Sequence, residues 1–320
     1  MEEKKMKKTW LVIVLVSSLV VGWTAGAYAW SLTGIYDFRD KLDATKTSFE
    51  GLDFTNDGTL WITSAPNDLN VSRQLLGVDL EDQTKKPSIT EFASSSLVNP
   101  VGLASDGTNL FIANNEKGFW GVDNRDRVYT GTINPANDQV SLAAAPLILG
   151  YGACLEPEGS AYLNGYLYFS CEKGKNVIKV NPMNGTVIES YYFDNNLLGL
   201  GATEKELIVG DYKGSNERHL LFYDVISKAV TQSIDLSQLF VGANSDYAKL
   251  TGSLYSVAVT PGDTRYIPDP DGLAYRNGKI YMTFEHDLRV YEITNVPEPA
   301  TLLLIGLGLL GLAGWRKSRS

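Results

Sequence analysis

The central part of the chain alternates between short apolar segments and polar turns. Five times, an apolar segment containing glycine is followed by a polar turn and then by a second apolar segment. In four of the five copies the turn contains Asn-Gly or Asp-Gly, which takes positive φ at low cost and closes tight hairpins. The pattern therefore predicts five repeated β-hairpins. Their first segments contain Gly51, Gly102, Gly159, Gly199 and Gly272.

Further strand-like segments follow each hairpin. Third segments of alternating character are Leu75–Leu80, Trp120–Val122, Val177–Val180, Leu220–Tyr223 and Leu288–Ile293, and fourth segments are Ser88–Phe92, Val187–Phe193 and Val230–Leu236. Four short strands recurring every 40 to 73 residues are typical of a β-propeller. A β-sandwich is the alternative, but it does not explain why the hairpin recurs.

The number of blades is five or six. The widest interval, from Gly199 to Gly272, has room for a degenerate sixth blade around Ser253–Thr260 or for a long insertion. The last copy ends after its third strand, and Leu32–Phe38 has no partner of its own. We therefore expect that N-terminal strand to complete the last blade, which closes the ring and removes two sheet edges.

Both ends of the chain lie outside this pattern. Residues 1–29 have a basic start (Lys4, Lys5, Lys7 and Lys8), an apolar run over Trp10–Val21, and small residues Ala27 and Ala29 before Trp30. This is the layout of a cleaved signal peptide, with an uncleaved anchor as the alternative. The propeller domain then covers residues 30–295.

The C-terminal segment, residues 296–320, has three parts. Pro297-Glu298-Pro299 is stiff and extended because each proline fixes φ and lacks an amide donor. Residues 300–315 carry no charge, and as a helix they span about 24 Å, slightly less than a bilayer core of roughly 30 Å. Residues 316–320 are basic and are expected to stay in the cytoplasm.

These three parts resemble the PEP-CTERM sorting signal of Gram-negative bacteria. The resemblance implies that an exosortase-like membrane protease recognises Pro297, Glu298 and Pro299. It also implies delivery to the cell surface, the cell envelope or an exopolysaccharide matrix, with the C-terminal helix in the membrane before processing. A structural protein that keeps this helix as its anchor is the alternative.

The charge and the cysteines fit an exported protein. The net charge is −9, and the two terminal segments hold seven of the 28 basic residues, so the central domain is more acidic still. Such a domain is a poor ligand for nucleic acid. Cys154 and Cys171 are the only cysteines. They flank the third hairpin at positions that come within reach after a short loop movement, which predicts a disulfide worth about 3 kcal/mol.

Two of the hairpins have a more specific form. Glu156-Pro-Glu-Gly-Ser-Ala-Tyr162 and Asp269-Pro-Asp-Gly-Leu-Ala-Tyr275 resemble the hairpins that open blades in SdiA-regulated, NHL and gluconolactonase-like propellers. In the gluconolactonase-like propellers a ring of carboxylate and Asn ligands holds a catalytic divalent metal. The resemblance transfers no chemistry by itself.

Candidate chemistry lies just before the repeated glycines. Glu50, Glu158 and Asp271 occupy this position in three copies, and carboxylates converging on one opening repel one another unless a cation offsets the charge. Asn99 is a further oxygen ligand, and such ligands suit Ca²⁺ or Mg²⁺. Val101 and Leu198 interrupt the ring, and the alternative is that the carboxylates bond backbone amides in turns.

The remaining candidates carry weaker signals. His219 and His286 lie at loop or strand edges without a nucleophile or metal-ligand spacing nearby. Trp120, Tyr151 and Tyr266 lie near loops and are candidates for stacking on sugars. The sequence thus predicts an exported propeller that acts as a binding or scaffold protein, whose partner is an exopolysaccharide or an envelope protein. The alternative function is a divalent-metal-dependent hydrolase or lactonase.

Overall fold

The computed structural model describes residues 28–65, 71–93, 97–115, 127–149, 153–154, 156–213, 217–255, 269–284 and 287–297. The chain divides into two compact units. One unit is Leu32–Thr294, which forms a β-propeller. The other comprises Met1–Ser31 and Asn295–Ser320, of which residues 28–31 and 295–297 are described. No helix among the described residues is long and apolar enough to span a membrane.

The propeller has five blades, each an antiparallel sheet. Blade 1 contains β2 (Phe49–Phe54), β3 (Leu60–Ser64), β4 (Arg73–Val78) and β5 (Ser88–Phe92); blade 2 contains β6 (Pro100–Ser105), β7 (Asn109–Asn114), β8 (Arg127–Asn134), β9 (Gln139–Leu142) and β10 (Leu147–Ile148); blade 3 contains β11 (Pro157–Leu163), β12 (Tyr166–Cys171), β13 (Asn176–Val180) and β14 (Val187–Tyr192); blade 4 contains β15 (Asn196–Ala202), β16 (Leu207–Lys213), β17 (Glu217–Asp224) and β18 (Ala229–Asp235); blade 5 contains β19 (Pro270–Arg276), β20 (Lys279–Phe284), β21 (Asp287–Pro297) and β1 (Tyr28–Asp37).

Blade 2 departs from the predicted strand pattern. Its third strand is β8 at Arg127–Asn134, whereas the sequence pattern placed this strand at Trp120–Val122, which lies outside the described residues. Both β9 and β10 pair with β8. The sequence did not indicate β8 as a strand, because its polar residues do not alternate regularly with apolar ones. Its buried and exposed positions are correspondingly irregular.

The first strands of the blades form a closed inner ring. β2 contacts β6, β6 contacts β11, β11 contacts β15, β15 contacts β19, and β19 contacts β2. Because β15 touches β19 directly, no sixth blade lies between blades 4 and 5. The long interval in the sequence is instead an insertion that includes two short helices, α1 (Leu236–Phe240) and α2 (Asp246–Thr251).

The N-terminal strand completes blade 5, as the sequence predicted. β1 lies next to β21 in the sheet order β1-β21-β20-β19. The hydroxyl of Tyr36 donates to Glu292 Oε2 at 2.8 Å, and the Oγ1 atoms of Thr33 and Thr294 are 2.8 Å apart. Joining the two ends of the domain in one sheet leaves no gap in the ring.

The repeated glycines allow the inner strands to approach one another closely. Every inner strand has a register irregularity at its glycine, as between Pro100 and Gly102 in β6. A Cβ atom on Gly51 would lie 2.4 Å from the backbone nitrogen of Leu103, and one on Gly272 would lie 2.2 Å from the carbonyl oxygen of Glu50. Only glycine fits where backbone meets backbone at these distances.

Apolar side chains fill the space between neighbouring blades. Between blades 3 and 4, for example, Leu163 and Tyr168 share one buried cluster with Leu200 and Val209. A hydrogen bond also joins blades 5 and 1, because Thr283 Oγ1 in the second strand of blade 5 donates to the carbonyl of Glu50 in blade 1 at 2.7 Å. The core therefore lies between the blades, where both faces of most sheets are covered.

The predicted disulfide is present. Cys154 and Cys171 are bonded with 5.2 Å between their Cα atoms, and both are buried. The bond ties the segment before β11 to the end of β12 in blade 3.

A buried polar network fixes the helical insertion to blade 5. The carboxylate of Asp287 accepts from Arg289 Nε at 2.6 Å and Nη2 at 2.8 Å, and from the hydroxyls of Tyr291 at 2.5 Å and Tyr255 at 3.2 Å. Arg289 Nη1 also donates to the hydroxyl of Tyr247 in α2 at 2.7 Å. Because these charged groups bond one another, their burial is tolerated.

Candidate binding site at the loop face

The two ends of the propeller differ in their connections. At one end, here called the turn face, the first and second strands of each blade are joined by the tight turns, such as Asn164-Gly165. At the opposite end, the loop face, the inner strands begin and the second strands end. The predicted carboxylates all belong to the loop face, because each precedes the glycine near the start of its inner strand.

Glu50, Glu158 and Asp271 lie near the start of the inner strands β2, β11 and β19. Glu50 is buried, and Glu158 and Asp271 are half-buried. Among the residues that the structure describes, no group of three or more His, Cys, Asp or Glu could hold a metal ion. Asn99 lies in the segment before β6, where its backbone N–H donates to Asn114 Oδ1 at 2.9 Å. The metal site at Glu50, Asn99, Glu158 and Asp271 stays a prediction without support from this geometry.

Blade 4 carries an imidazole–carboxylate pair at the loop face. Asp211 at the end of β16 is directly opposite His219 in β17, and His219 Nδ1 lies 3.1 Å from Asp211 Oδ1. Asn195 Nδ2 donates to the second carboxylate oxygen at 2.7 Å. The Asp211 side chain is 4% exposed and that of His219 is 29% exposed. The buried carboxylate therefore orients a partly exposed imidazole.

A second group surrounds Tyr212 on the same strand. The Tyr212 hydroxyl donates to Glu172 of blade 3 and accepts from Asn196 Nδ2 at 2.8 Å. Burial and the Glu172 carboxylate raise the pKa of Tyr212. The guanidinium of Arg218 lies 4.8 Å from the centre of the Tyr212 ring. This contact fixes an aromatic ring and a cation together at the loop face.

An ion pair connects this group to blade 5, and a second ion pair lies within blade 3. Arg218 Nε donates to Asp269 Oδ1, just before blade 5. In blade 3, Lys173 pairs with Glu156, which raises the pKa of Lys173. The charged side chains of blades 3 to 5 are thus held by one another, so the loop face is a polar surface with fixed donors and acceptors.

Sequence reasoning missed most of this surface. His219 was identified only as a histidine without a nearby partner, because its carboxylate is eight residues away and becomes its neighbour only through the β16–β17 pairing. The Arg218–Asp269 pair joins residues 51 positions apart. The sequence did contain one signal, the polar segment Asp211-Tyr-Lys-Gly214 directly after the non-polar residues 207–210, which is compatible with a ligand surface at one rim.

One inner-strand carboxylate also escaped notice. Asp53 in β2 accepts from the amide of Ser105 in the next blade at 2.7 Å and from the amide of Phe54 at 2.8 Å. Burial raises the pKa of Asp53 to about 7, although both amides act in the opposite direction. Asp53 links blades 1 and 2 close to the turn face, because it lies near the end of β2 and Ser105 is the last residue of β6.

Several predicted residues lie outside the described part of the chain. These are Ala27 of the signal-cleavage site, Glu298 and Pro299 of the sorting motif, His286, and the aromatic residues Trp120, Tyr151 and Tyr266. Ala29 and Trp30 are described within β1, and Pro297 is the last residue of β21.

The C-terminal resemblance is confirmed by a family model. Residues 295–319 match the PEP-CTERM protein-sorting motif. The motif begins within the last residues of β21 and implies a C-terminal transmembrane sorting helix, export, and processing by an exosortase-type membrane enzyme. Among curated proteins, none matches the chain.

Two solved structures are reported for their similarity to this chain. Glutaminyl cyclase from Myxococcus xanthus is 18% identical with a TM-score of 0.58, and the match covers 84% of this chain and 97% of that one. The PQQ-bound aldose sugar dehydrogenase from Streptomyces coelicolor is 12% identical with a TM-score of 0.45, over 80% of this chain and 78% of that one. At such identities the likeness to the cyclase shows the propeller fold alone.

Proposed function

We propose that this protein is an exported propeller, sorted to the cell surface or the surrounding matrix, that binds a partner through its loop face. In this proposal residues 1–29 are a signal peptide cleaved before Trp30, and residues 296–320 are the sorting segment. An exosortase-like protease processes the chain at Pro297, Glu298 and Pro299. The observation that carries the proposal is the sorting motif at residues 295–319, which begins within the last residues of the final strand β21.

The position of the motif supports processing without damage to the fold. Blade 5 already has its fourth strand from the N-terminal side, so the sheets within the described residues need no strand after β21. Removing the residues after Pro297 therefore leaves all five sheets intact. The buried disulfide between Cys154 and Cys171 agrees with export, because such bonds persist in oxidising compartments.

The loop face supports binding as the activity. Its charged groups, including Arg218, Asp269 and Asp211, are bonded to neighbouring side chains rather than gathered around one reacting position. Fixed polar groups beside the Tyr212 ring are suited to a polar ligand such as an exopolysaccharide or the surface of an envelope protein.

Sorting is tested by replacing Pro297, Glu298 and Pro299 together with alanine in the native host. We expect the variant to accumulate in the membrane fraction at the mass of the unprocessed chain. The matched control replaces Arg319 alone with lysine, which preserves the basic tail and is expected to be processed normally. Normal processing of the triple variant would refute the sorting proposal.

The alternative function, a metal-dependent hydrolase or lactonase, requires Glu50, Asn99, Glu158 and Asp271 to hold a divalent cation. Metal analysis of the exported protein and melting with and without EDTA separate the two functions. A stoichiometric calcium ion whose removal lowers the melting temperature would favour the hydrolase. An unchanged melting curve after EDTA treatment favours the binding protein.

A further inference from the structure

A cavity of about 450 Å³ opens on the turn face, away from the loop-face surface. It lies over the end of blade 1, with blade 5 on one side and the β8–β9 turn of blade 2 on the other. Its volume is within the range of small-molecule sites in proteins, roughly 300 to 1,000 Å³. Phe54 of blade 1 and Arg276 and Tyr281 of blade 5 are among its lining residues.

Arg276 is the best-fixed cation of the cavity. Its Nη1 donates to the carbonyl of Thr55 in blade 1 at 3.1 Å, and its guanidinium lies 5.2 Å from the centre of the Phe54 ring. Gly58 has φ of +100°, and a Cβ atom there would lie only 3.1 Å from Arg276 Nη2. Among the described residues, one of the five N–H groups of the guanidinium has a hydrogen-bond partner, the carbonyl of Thr55 in blade 1, so the others can donate to a ligand.

Two aromatic rings provide an apolar part of the wall. Phe54 of blade 1 and Tyr281 of blade 5 meet edge to face with 4.9 Å between ring centres. Tyr281 is buried, and Phe54 is partly covered by the Arg276 guanidinium. The rings are fixed by their contact with each other, which lowers the entropy lost when a ligand packs against them.

The charged lining is mixed in sign. Three cations (Lys85, Lys86 and Arg276) and four carboxylates (Asp57, Asp79, Glu81 and Asp138) line the cavity. Asp57 is held within its own turn, where Oδ1 accepts from Thr55 Oγ1 at 2.7 Å and from the amide of Thr59 at 3.1 Å. Asp79 pairs with Lys85 at 2.8 Å. Lys86 and Glu81 are exposed at the rim.

This lining discriminates between ligand classes. A strongly anionic ligand meets four carboxylates, and a cationic ligand meets three cations, so either one is opposed by like charges. A hydroxyl group both donates and accepts, so a polyol can accept from Arg276 or Lys86 while donating to a neighbouring carboxylate. The aromatic wall gives the carbon-bound hydrogens of a sugar ring an apolar surface.

We propose that the turn-face cavity binds one or two units of a neutral saccharide, with Arg276 and the rim pair Lys86 and Glu81 as its polar contacts. The site is separate from the loop face and does not depend on the sorting proposal. A propeller with both surfaces is able to hold a glycan at one face and a second partner at the other.

The experiment uses the exported protein purified from cells and two probe pools, reduced neutral oligosaccharides of two to four units and uronate-containing oligosaccharides of the same length. Saturation-transfer NMR reports which pool binds, and titration of the best member gives its Kd. We expect the neutral pool to bind and the uronate pool to give no comparable signal. Preferential binding of uronates, or no signal from the neutral pool, would overturn the proposal.

Variants locate the site. Arg276→Met is expected to weaken binding at least tenfold, but it also removes the contact with Thr55. The double variant Lys86→Ala with Glu81→Ala changes only exposed rim residues and is expected to weaken binding about threefold or more. Lys205→Ala in the β15–β16 turn of blade 4 is the control, because this exposed residue does not line the cavity, and it should bind like the wild type. Unchanged affinity in the rim variant would place the saccharide elsewhere and contradict the proposal.

Discussion

The close approach of the inner strands makes a sharp prediction for Gly159→Ala. A Cβ atom at residue 159 would lie 2.2 Å from the backbone nitrogen of Leu200 and 2.6 Å from the carbonyl carbon of Gly199. Ordinary contact begins near 3.4 Å, so the inner strand of blade 4 must retreat by about 1 Å. Because the ring is closed, this movement disturbs the packing at the other interfaces as well. Overpacking of this kind costs about 3 kcal/mol.

Thermal unfolding followed by circular dichroism measures this loss. A cost of about 3 kcal/mol corresponds to a drop in Tm of roughly 6 to 12 °C for a domain of this size. Gly34→Ala in β1 is the matched control, because its Cβ atom would meet Glu292 Cβ at 3.3 Å and the backbone needs no positive φ. The control is expected to cost less than about 1 kcal/mol. Equal Tm values for the two variants would refute the account of the inner ring.

Three further predictions concern stability. Because burial raises the pKa of Asp53 to about 7, above its ordinary value of 3.8, ionisation destabilises the fold. As the pH rises from about 4 to about 7, the free energy of unfolding of the wild type should fall by up to about 4 kcal/mol relative to that of Asp53→Asn. Urea unfolding at several pH values measures both, and parallel profiles for the two proteins would contradict this. Replacing Cys154 and Cys171 with serine should cost about 3 kcal/mol in urea unfolding under oxidising conditions, and no change would show that the disulfide contributes nothing. Asp287→Asn should cost about 3 to 5 kcal/mol by calorimetry because Arg289 then lies buried without its carboxylate, and a cost below 1 kcal/mol would refute the network.

The sequence allowed much of the fold to be predicted because the repeats are local. Each Asn-Gly or Asp-Gly turn determines its own hairpin, and the recurrence of those hairpins implies a propeller. The fourth strand of blade 5 was also predictable, since Leu32–Phe38 and the last copy each lacked a partner. The number of blades was not predictable. The sequence between Asp235 and Pro270 does not indicate whether the inner strands on either side of it are in contact.

The polar surface at the loop face was beyond prediction for a different reason. Its contacts join side chains that are adjacent only after the strands pair and the blades pack, as for His219 and Asp211 or for Tyr212 and Glu172. Residue types near the glycines suggested a ring of carboxylates. The half-buried or buried state of Glu50 and its equivalents depends on inter-blade distances, and these are determined by packing rather than by local sequence.

The intact mass of the protein released from the surface of its native host tests the central claim most directly. The account predicts a chain that begins near Trp30 and ends within Pro297–Pro299, with one disulfide and a complete propeller. A surface-associated chain whose mass still includes Trp315 would contradict processing at the sorting motif. A mass that includes Met1 would contradict cleavage of the signal peptide.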